Sequence, residues 1–93
     1  MIKITKKSNK AWVTFSFNPD STVDTVELLG EWNEWKPEAM KKKKSGGYSI
    51  TKIIKTSDNY QFGYRLNGQI WEVESECTLI SSPFNSRNSL LKL

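Results

Sequence analysis

Hydrophobic and polar residues alternate along most of this chain, which is the pattern of β-strands. In residues 60–66, every second residue is large and apolar, and the residues between them are Gln61, Gly63 and Arg65. No stretch repeats its apolar residues convincingly at the spacing of a helix. The predicted strands are residues 11–17, 25–30, 39–43, 48–55, 60–66, 70–73 and 89–93.

Turn-forming residues separate these strands. The predicted turns are residues 18–21, 45–47, 56–59 and 67–68. Gly, Pro, Asn, Asp and Ser predominate there, and these residue types favour chain reversal. Short strands joined in this way predict an all-β fold, an antiparallel β-sandwich of about seven short strands. In residues 48–55, the adjacent Ile53 and Ile54 break the alternation and predict a bulge or burial on both faces.

Length and composition limit the protein to one small domain. The chain has 93 residues, of which 37% are hydrophobic, enough for a single modest core. We expect this domain to span residues 11–93, and the polar, lysine-rich residues 1–10 to be loosely ordered. The single cysteine, Cys77, cannot form an internal disulfide, and no apolar run resembles a signal peptide or a membrane span. These features predict a cytoplasmic protein with no membrane partner.

The charge of the chain is mildly basic. Fourteen basic residues against ten acidic ones give a net charge of +4, and residues 3–10 and 41–44 hold much of the excess. So small an excess does not require nucleic acid or another polyanion as a partner. The lysines of residues 41–44 adjoin a Ser-Gly-Gly turn and are typical of a solvated hairpin tip.

Catalysis has little support in the residue types. The chain has no histidine, the commonest general base and metal ligand. Glu31 with Glu34, or the glutamates within residues 72–76, would need to face each other across a cleft to act as a glycosidase pair. Phosphate loops, cysteine pairs and nucleophile elbows are also missing from the sequence. We therefore expect a protein that is not an enzyme and that holds no metal or cofactor.

Tryptophans supply the most specific signal. Trp32 and Trp35 lie three residues apart in a predicted turn, and Trp71 follows the turn at Asn67-Gly68. Aromatic rings clustered near turns predict a platform for a flat ligand. Trp12 lies on the polar-alternating side of its strand and is predicted to cover a sheet edge or pack beneath the N-terminal segment.

A series of motifs resembles carbohydrate-binding module family 48. In chain order, the motifs are residues 26–35, Met40, residues 47–50, residues 60–68, Trp71 and Asn88-Ser89. The similar proteins include the glycogen-binding domain of the AMP-activated protein kinase β subunit and the early-set domain at the N-terminus of isoamylases and branching enzymes. The resemblance runs from about residue 11 to residue 93, in a form like the small free-standing early-set proteins.

The resemblance implies an immunoglobulin-like early-set sandwich that binds α-1,4-linked glucose units. By position, it implies that Trp35 and Trp71 stack on sugar rings and that Trp32 is a core residue. It also implies that Asn88 hydrogen-bonds sugar hydroxyls. Two more residues, Phe84 and Ser86, would line the edge of the site.

Two positions depart from the family. A lysine of the family's site corresponds to Gly63 here, and the usual turn aspartate is Asn67. Arg65 shares the predicted strand face of Gly63, which makes it a candidate to replace the lysine as a partner for hydroxyls.

Three functional classes stay open from the sequence. The first is a non-catalytic α-glucan-binding module that uses Trp35 and Trp71, with an enzyme or another protein as a candidate further partner. The second is a protein-interaction module that keeps the fold without the sugar site, which the loss at Gly63 favours. The third is a single-stranded nucleic-acid binder in which lysines contact phosphates and aromatic rings stack on bases.

Overall fold

The computed structural model describes residues 1–81 and 87–93 as an antiparallel β-sandwich of two sheets. A short 3₁₀ turn, Glu31–Asn33, follows the third strand. The strands are β1 (Ile2–Lys7), β2 (Lys10–Phe17), β3 (Val26–Gly30), β4 (Glu38–Ala39), β5 (Lys41–Lys42), β6 (Tyr48–Lys55), β7 (Asn59–Leu66), β8 (Ile70–Glu72), β9 (Thr78–Ser81) and β10 (Arg87–Lys92).

The longest strands, β2, β6 and β7, lie in the interior of the two sheets. Sheet I has the order β1-β2-β6-β5, and sheet II has the order β4-β3-β7-β10-β9. Strand β8 also belongs to sheet II and pairs with the end of β7, where Arg65 lies opposite Trp71. Because β10 pairs only with the beginning of β7, β8 occupies the same edge of β7 further along.

The core lies between the two sheets and is rich in aromatic residues. Phe15 of sheet I meets Phe62 of sheet II with ring centroids 5.1 Å apart. Trp32 is partly buried and packs against both of them, with centroids at 5.3 and 5.9 Å, so it borders the core as a structural residue. Tyr64 is fully buried. Tight aromatic packing of this kind stabilises the sandwich beyond the burial of area alone.

The N-terminal segment differs from the sequence expectation. Residues 2–7 form strand β1, which pairs with β2 in a regular register from Ile2 opposite Phe15 to Lys7 opposite Lys10. Most side chains of β1 are exposed, so apolar burial contributes little to its position. Backbone hydrogen bonding to β2, together with packing of Ile2 against the core, explains why a lysine-rich segment is ordered here.

Other strands also differ from the prediction. The single strand expected over residues 39–43 is two short strands, because the chain changes sheets at Met40, which is buried between them. Strand β9 was not predicted. Strand β6 has no bulge: its register with β2 is regular, Ile54 is buried, and Ile53 faces outward with 59% of its surface exposed.

Helices are nearly missing from the described ranges. Within residues 1–81 and 87–93, the structure contains no helix long and apolar enough to cross a membrane.

Candidate functional site

The turn after β3 determines where Trp35 lies. Glu34 and Trp35 both have positive φ angles, 61° and 63°. That conformation is unfavourable for bulky side chains and persists only where surrounding contacts hold it. One such contact is the hydrogen bond from the Trp35 amide to the Gly30 carbonyl, at 2.9 Å. The turn therefore fixes the direction of the Trp35 backbone.

A second set of contacts supports this turn from below. The Asn33 side-chain amide donates to the Lys36 carbonyl at 3.2 Å and to the Glu38 carboxylate at 3.1 Å. Glu38 also forms an ion pair with Lys52, which joins sheet II to sheet I. The Trp35 turn is thus tied to both sheets of the sandwich.

Trp71 reaches the same region from the β7–β8 hairpin. Its turn residues, Asn67 and Gly68, have φ angles of 51° and 70°, which glycine and asparagine tolerate best. The indole lies against Gly63: a Cβ atom at that position would overlap its six-membered ring. The indole Nε1 donates to the Arg87 carbonyl at 2.9 Å, which fixes the ring on the outer face of sheet II.

The two tryptophans form a pair. The ring centroids of Trp35 and Trp71 are 6.2 Å apart, and their planes are tilted by 54°. Trp35 is 36% exposed and Trp71 is half-buried. The structure therefore brings together the two aromatic residues that the sequence predicted for a platform, as an angled surface open to solvent.

Polar side chains lie on the same outer face of sheet II as this indole pair. Arg65 pairs with Glu27 at 2.9 Å, and the Asn88 amide donates to Gln61 Oε1 at 3.1 Å. The hydrogen bond to Glu27 raises the pKa of the Arg65 guanidinium above its already high ordinary value. Arg65 and Asn88 thus lie on the predicted face, each oriented by a partner.

Those partners, Gln61 and Glu27, were missed as site residues by the sequence reasoning. Strand alternation contained the signal for Gln61, since it shares a strand face with Gly63 and Arg65. Glu27 lies opposite Arg65 in the β3–β7 register, which the sequence does not reveal. Phe84 and Ser86, the two other predicted site residues, lie outside the described residues.

The glycine at position 63 has a structural explanation. The indole of Trp71 fills the space that the first carbon of any side chain at position 63 would occupy. Glycine at this position allows the ring to approach the strand backbone closely. The glycine at position 63 and the location of the Trp71 indole are therefore one feature of the packing.

Candidate metal ligands and carboxylates do not gather at this site. Across residues 1–81 and 87–93, no group of three or more potential metal ligands is close enough to hold an ion. Glu31 accepts a hydrogen bond from the backbone N–H of Gln61, and the buried Glu74 accepts one from the Tyr64 hydroxyl at 2.9 Å. These carboxylates satisfy donors within the fold.

Comparison with known proteins adds no relative. Neither a scan against protein-family models nor a search of curated proteins gives a match to this chain.

Proposed function

We propose that this protein is a non-catalytic α-glucan-binding module that stacks malto-oligosaccharide on the indole pair. The observation that carries the proposal is the contact between Trp35 and Trp71, 6.2 Å apart on an exposed sheet face. The motif resemblance to carbohydrate-binding module family 48 supports the same two residues. An immunoglobulin-like early-set topology and a cytoplasmic location belong to this proposal as well.

Stacking of sugar on indole has a simple physical basis. A pyranose ring presents a face of C–H groups that packs on the electron-rich face of an indole. Trp35 and Trp71 are tilted by 54°, so a chain that contacts both rings must bend between them. An α-1,4-linked glucan is curved, whereas a β-1,4-linked glucan is a straight ribbon. The tilt therefore favours the α-linked chain.

Hydroxyl groups at the rim of the sugar need polar partners. Arg65 has five N–H donors, and its Nε donates to Glu27. Asn88 and Gln61 bond to each other and retain further donors and acceptors. Because these side chains are already oriented, binding costs less side-chain entropy.

Affinity for a single chain is expected to be weak. Each stacked ring contributes about 0.5 to 1.5 kcal/mol beyond burial, and a mobile oligosaccharide loses freedom when it binds. The expected dissociation constant is on the order of 0.1 to 1 mM. Polymeric glycogen offers many sites close together, which raises the overall affinity through multivalency.

The test is an NMR titration of the labelled protein with maltoheptaose, with cellohexaose as the linkage control. Shifts of the Trp35 and Trp71 indole signals that saturate near millimolar maltoheptaose support the proposal. Trp35→Ala should abolish the shift of the Trp71 indole signal that maltoheptaose causes. Trp12→Ala is the matched control, because Trp12 is 38% exposed against 36% for Trp35 but lies on sheet I. No response to maltoheptaose in the folded wild type would refute the proposal.

A protein-interaction module is the second candidate. The observation that favours it is the packing of the Trp71 indole against Gly63. One face of this ring is already covered within the fold, which leaves less of it for stacking on sugar. In this case the indole pair anchors a side chain of a partner protein, such as an associated enzyme. Silence with maltoheptaose, together with capture of a partner that depends on Trp35, would support this candidate instead.

A further inference from the structure

Charge is distributed unevenly between the two sheets. The strands of sheet I contain eight lysines and no acidic residue. The strands of sheet II contain three acidic residues and three basic ones. The small net charge of the sequence therefore conceals one strongly basic sheet.

Three of these lysines form a row on the outer face of sheet I. Lys7 lies opposite Lys10, and Lys10 lies opposite Lys55, across three neighbouring strands. Strands in a sheet are about 4.8 Å apart, so the backbone positions of the row span about 10 Å. Thr5, Trp12 and Ile53 form the next row on the same face, about 7 Å further along the strands.

The lysine row has no acidic partner in the described part of the chain. The ion pairs found in residues 1–81 and 87–93 use the Met1 amino group, Lys52 and Arg65. Like charges directly opposite each other in a sheet are destabilising. A bound polyanion would relieve this repulsion.

The neighbouring row identifies the kind of polyanion. Trp12 is 38% exposed on this face, directly opposite Thr5 on one side and Ile53 on the other. Thr14 and Thr51 lie one row further along, with their hydroxyls 2.9 Å apart. A flat ring beside a lysine row matches the needs of a base next to its phosphates, and the hydroxyls can bond to base edges.

We propose that the outer face of sheet I binds single-stranded nucleic acid. The row of Lys7, Lys10 and Lys55 contacts successive phosphates, and the indole of Trp12 stacks on a base. A membrane surface fits less well, because membrane binding needs a broad apolar face. In the described residues, the large apolar side chains exposed on this face are two, Trp12 and Ile53. This site is separate from the indole pair, which lies on sheet II.

The direct test measures binding of the full chain to a fluorescent oligonucleotide of about twenty deoxythymidines by anisotropy. If three to five phosphates are neutralised, the slope of log K against log salt is about −2 to −3.5. Changing all three row lysines to alanine should reduce this slope by about 2. The matched control changes Lys43, Lys44 and Lys92 to alanine, which removes the same charge elsewhere and should leave the slope near the wild-type value.

Substitution of Trp12 tests the stacking. Trp12→Ala should weaken oligonucleotide binding roughly tenfold, and Trp12→Phe should retain most of it. Trp35→Ala should have no effect on the oligonucleotide. In the wild type, the oligonucleotide should shift the indole signal of Trp12 and leave that of Trp71 unchanged, a readout that holds even if Trp12→Ala folds poorly.

Three results would overturn this proposal. One is equal binding of polyglutamate that does not depend on Trp12, which would indicate a diffuse basic surface. Another is an equal loss of slope in the control triple variant. The third is binding to anionic phosphatidylserine vesicles without binding to the oligonucleotide. Maltoheptaose titrations of the same variants test the glucan site separately, so loss of oligonucleotide binding on sheet I can be told apart from loss of sugar binding on sheet II.

Discussion

The indole of Trp71 lies directly on the backbone of Gly63, where any Cβ atom would overlap it. Gly30 has the same relation to Trp32 on the inner face of sheet II. In both cases a strand glycine makes room for a tryptophan. The difference is the direction of the ring, which faces the core for Trp32 and the solvent side for Trp71.

The packing of Trp71 on Gly63 predicts that a side-chain methyl group at this position lowers the stability of the fold. Gly63→Ala should displace the indole and lower the free energy of unfolding by about 1 to 3 kcal/mol, measured by urea denaturation. It should also abolish the shift of the Trp71 signal with maltoheptaose. The control is a double-mutant cycle with Trp71→Ala. If Gly63→Ala costs as much without the indole as with it, ring overlap is not the cause.

The Asn33 side chain is predicted to act as a positioning group. Asn33→Ala removes its bonds to Lys36 and Glu38, so the Trp35 turn should lose its fixed direction. We expect maltoheptaose affinity to fall roughly three- to tenfold and the Trp35 signal to broaden, because binding must then order the turn. Asn59→Ala, at the exposed start of β7, is the matched control. Unchanged affinity for the Asn33 variant would contradict the prediction.

The different locations of Trp32 and Trp12 predict different effects on stability. Trp32 packs on Phe15 and Phe62, so Trp32→Ala should cost about 3 kcal/mol through lost contacts and a cavity. Trp12→Ala should cost about 1 kcal/mol at most, since its ring is partly exposed on an outer face. Denaturation of both variants measures the difference. Similar losses would mean that Trp12 contributes to the core as Trp32 does.

Burial of the Tyr64 hydroxyl predicts a loss of stability in alkali. Burial, and then the nearby Glu74 carboxylate, raise the pKa of Tyr64 well above its ordinary value near 10. The unfolded state therefore ionises first, so the stabilising contribution is complete below pH 10 and declines above it by about 1.4 kcal/mol per pH unit. Burial also raises the pKa of Cys77, which acts in the same direction from its lower ordinary value.

The measurement is the free energy of unfolding between pH 8 and about pH 11. Tyr64→Phe removes the phenol and should flatten the decline above pH 10 relative to the wild type. A Tyr64→Phe variant with an undiminished alkaline slope would refute the assignment of the loss to Tyr64.

The raised pKa of Cys77 also predicts slow reaction with thiol reagents at pH 8, compared with free cysteine.

Much of the fold could be predicted from local pattern. The alternation in residues 60–66 gave the face of β7 correctly, with Phe62 and Tyr64 buried and Arg65 outward. Strand β1 was not predicted. It is held in place by backbone pairing with β2, and nothing in its lysine-rich sequence indicates that pairing. The change of sheet at Met40 was also hidden, since two short strands with one buried residue between them resemble a single strand.

The candidate site was also predictable only in part from the sequence. The turn before Trp71 was predicted from Asn67 and Gly68, and the choice of Trp35 with Trp71 as the platform came from the resemblance. The positive φ angle of Trp35 has no signal in its residue type. The contact distance and tilt of the two indoles depend on two separate hairpins meeting on one face, which no local pattern contains. The partners of Arg65 and Asn88 likewise depend on strand register.

By itself, then, the sequence determined the strands with clear alternation, the turns between most of them and the tryptophans available for a surface, because these follow from residue types a few positions apart. The tertiary structure decided which residues meet across strands. It placed Trp71 on Gly63, tilted it against Trp35, and aligned Lys7, Lys10 and Lys55 in one row. Register and sheet order are non-local, so a single chain read in order cannot supply them.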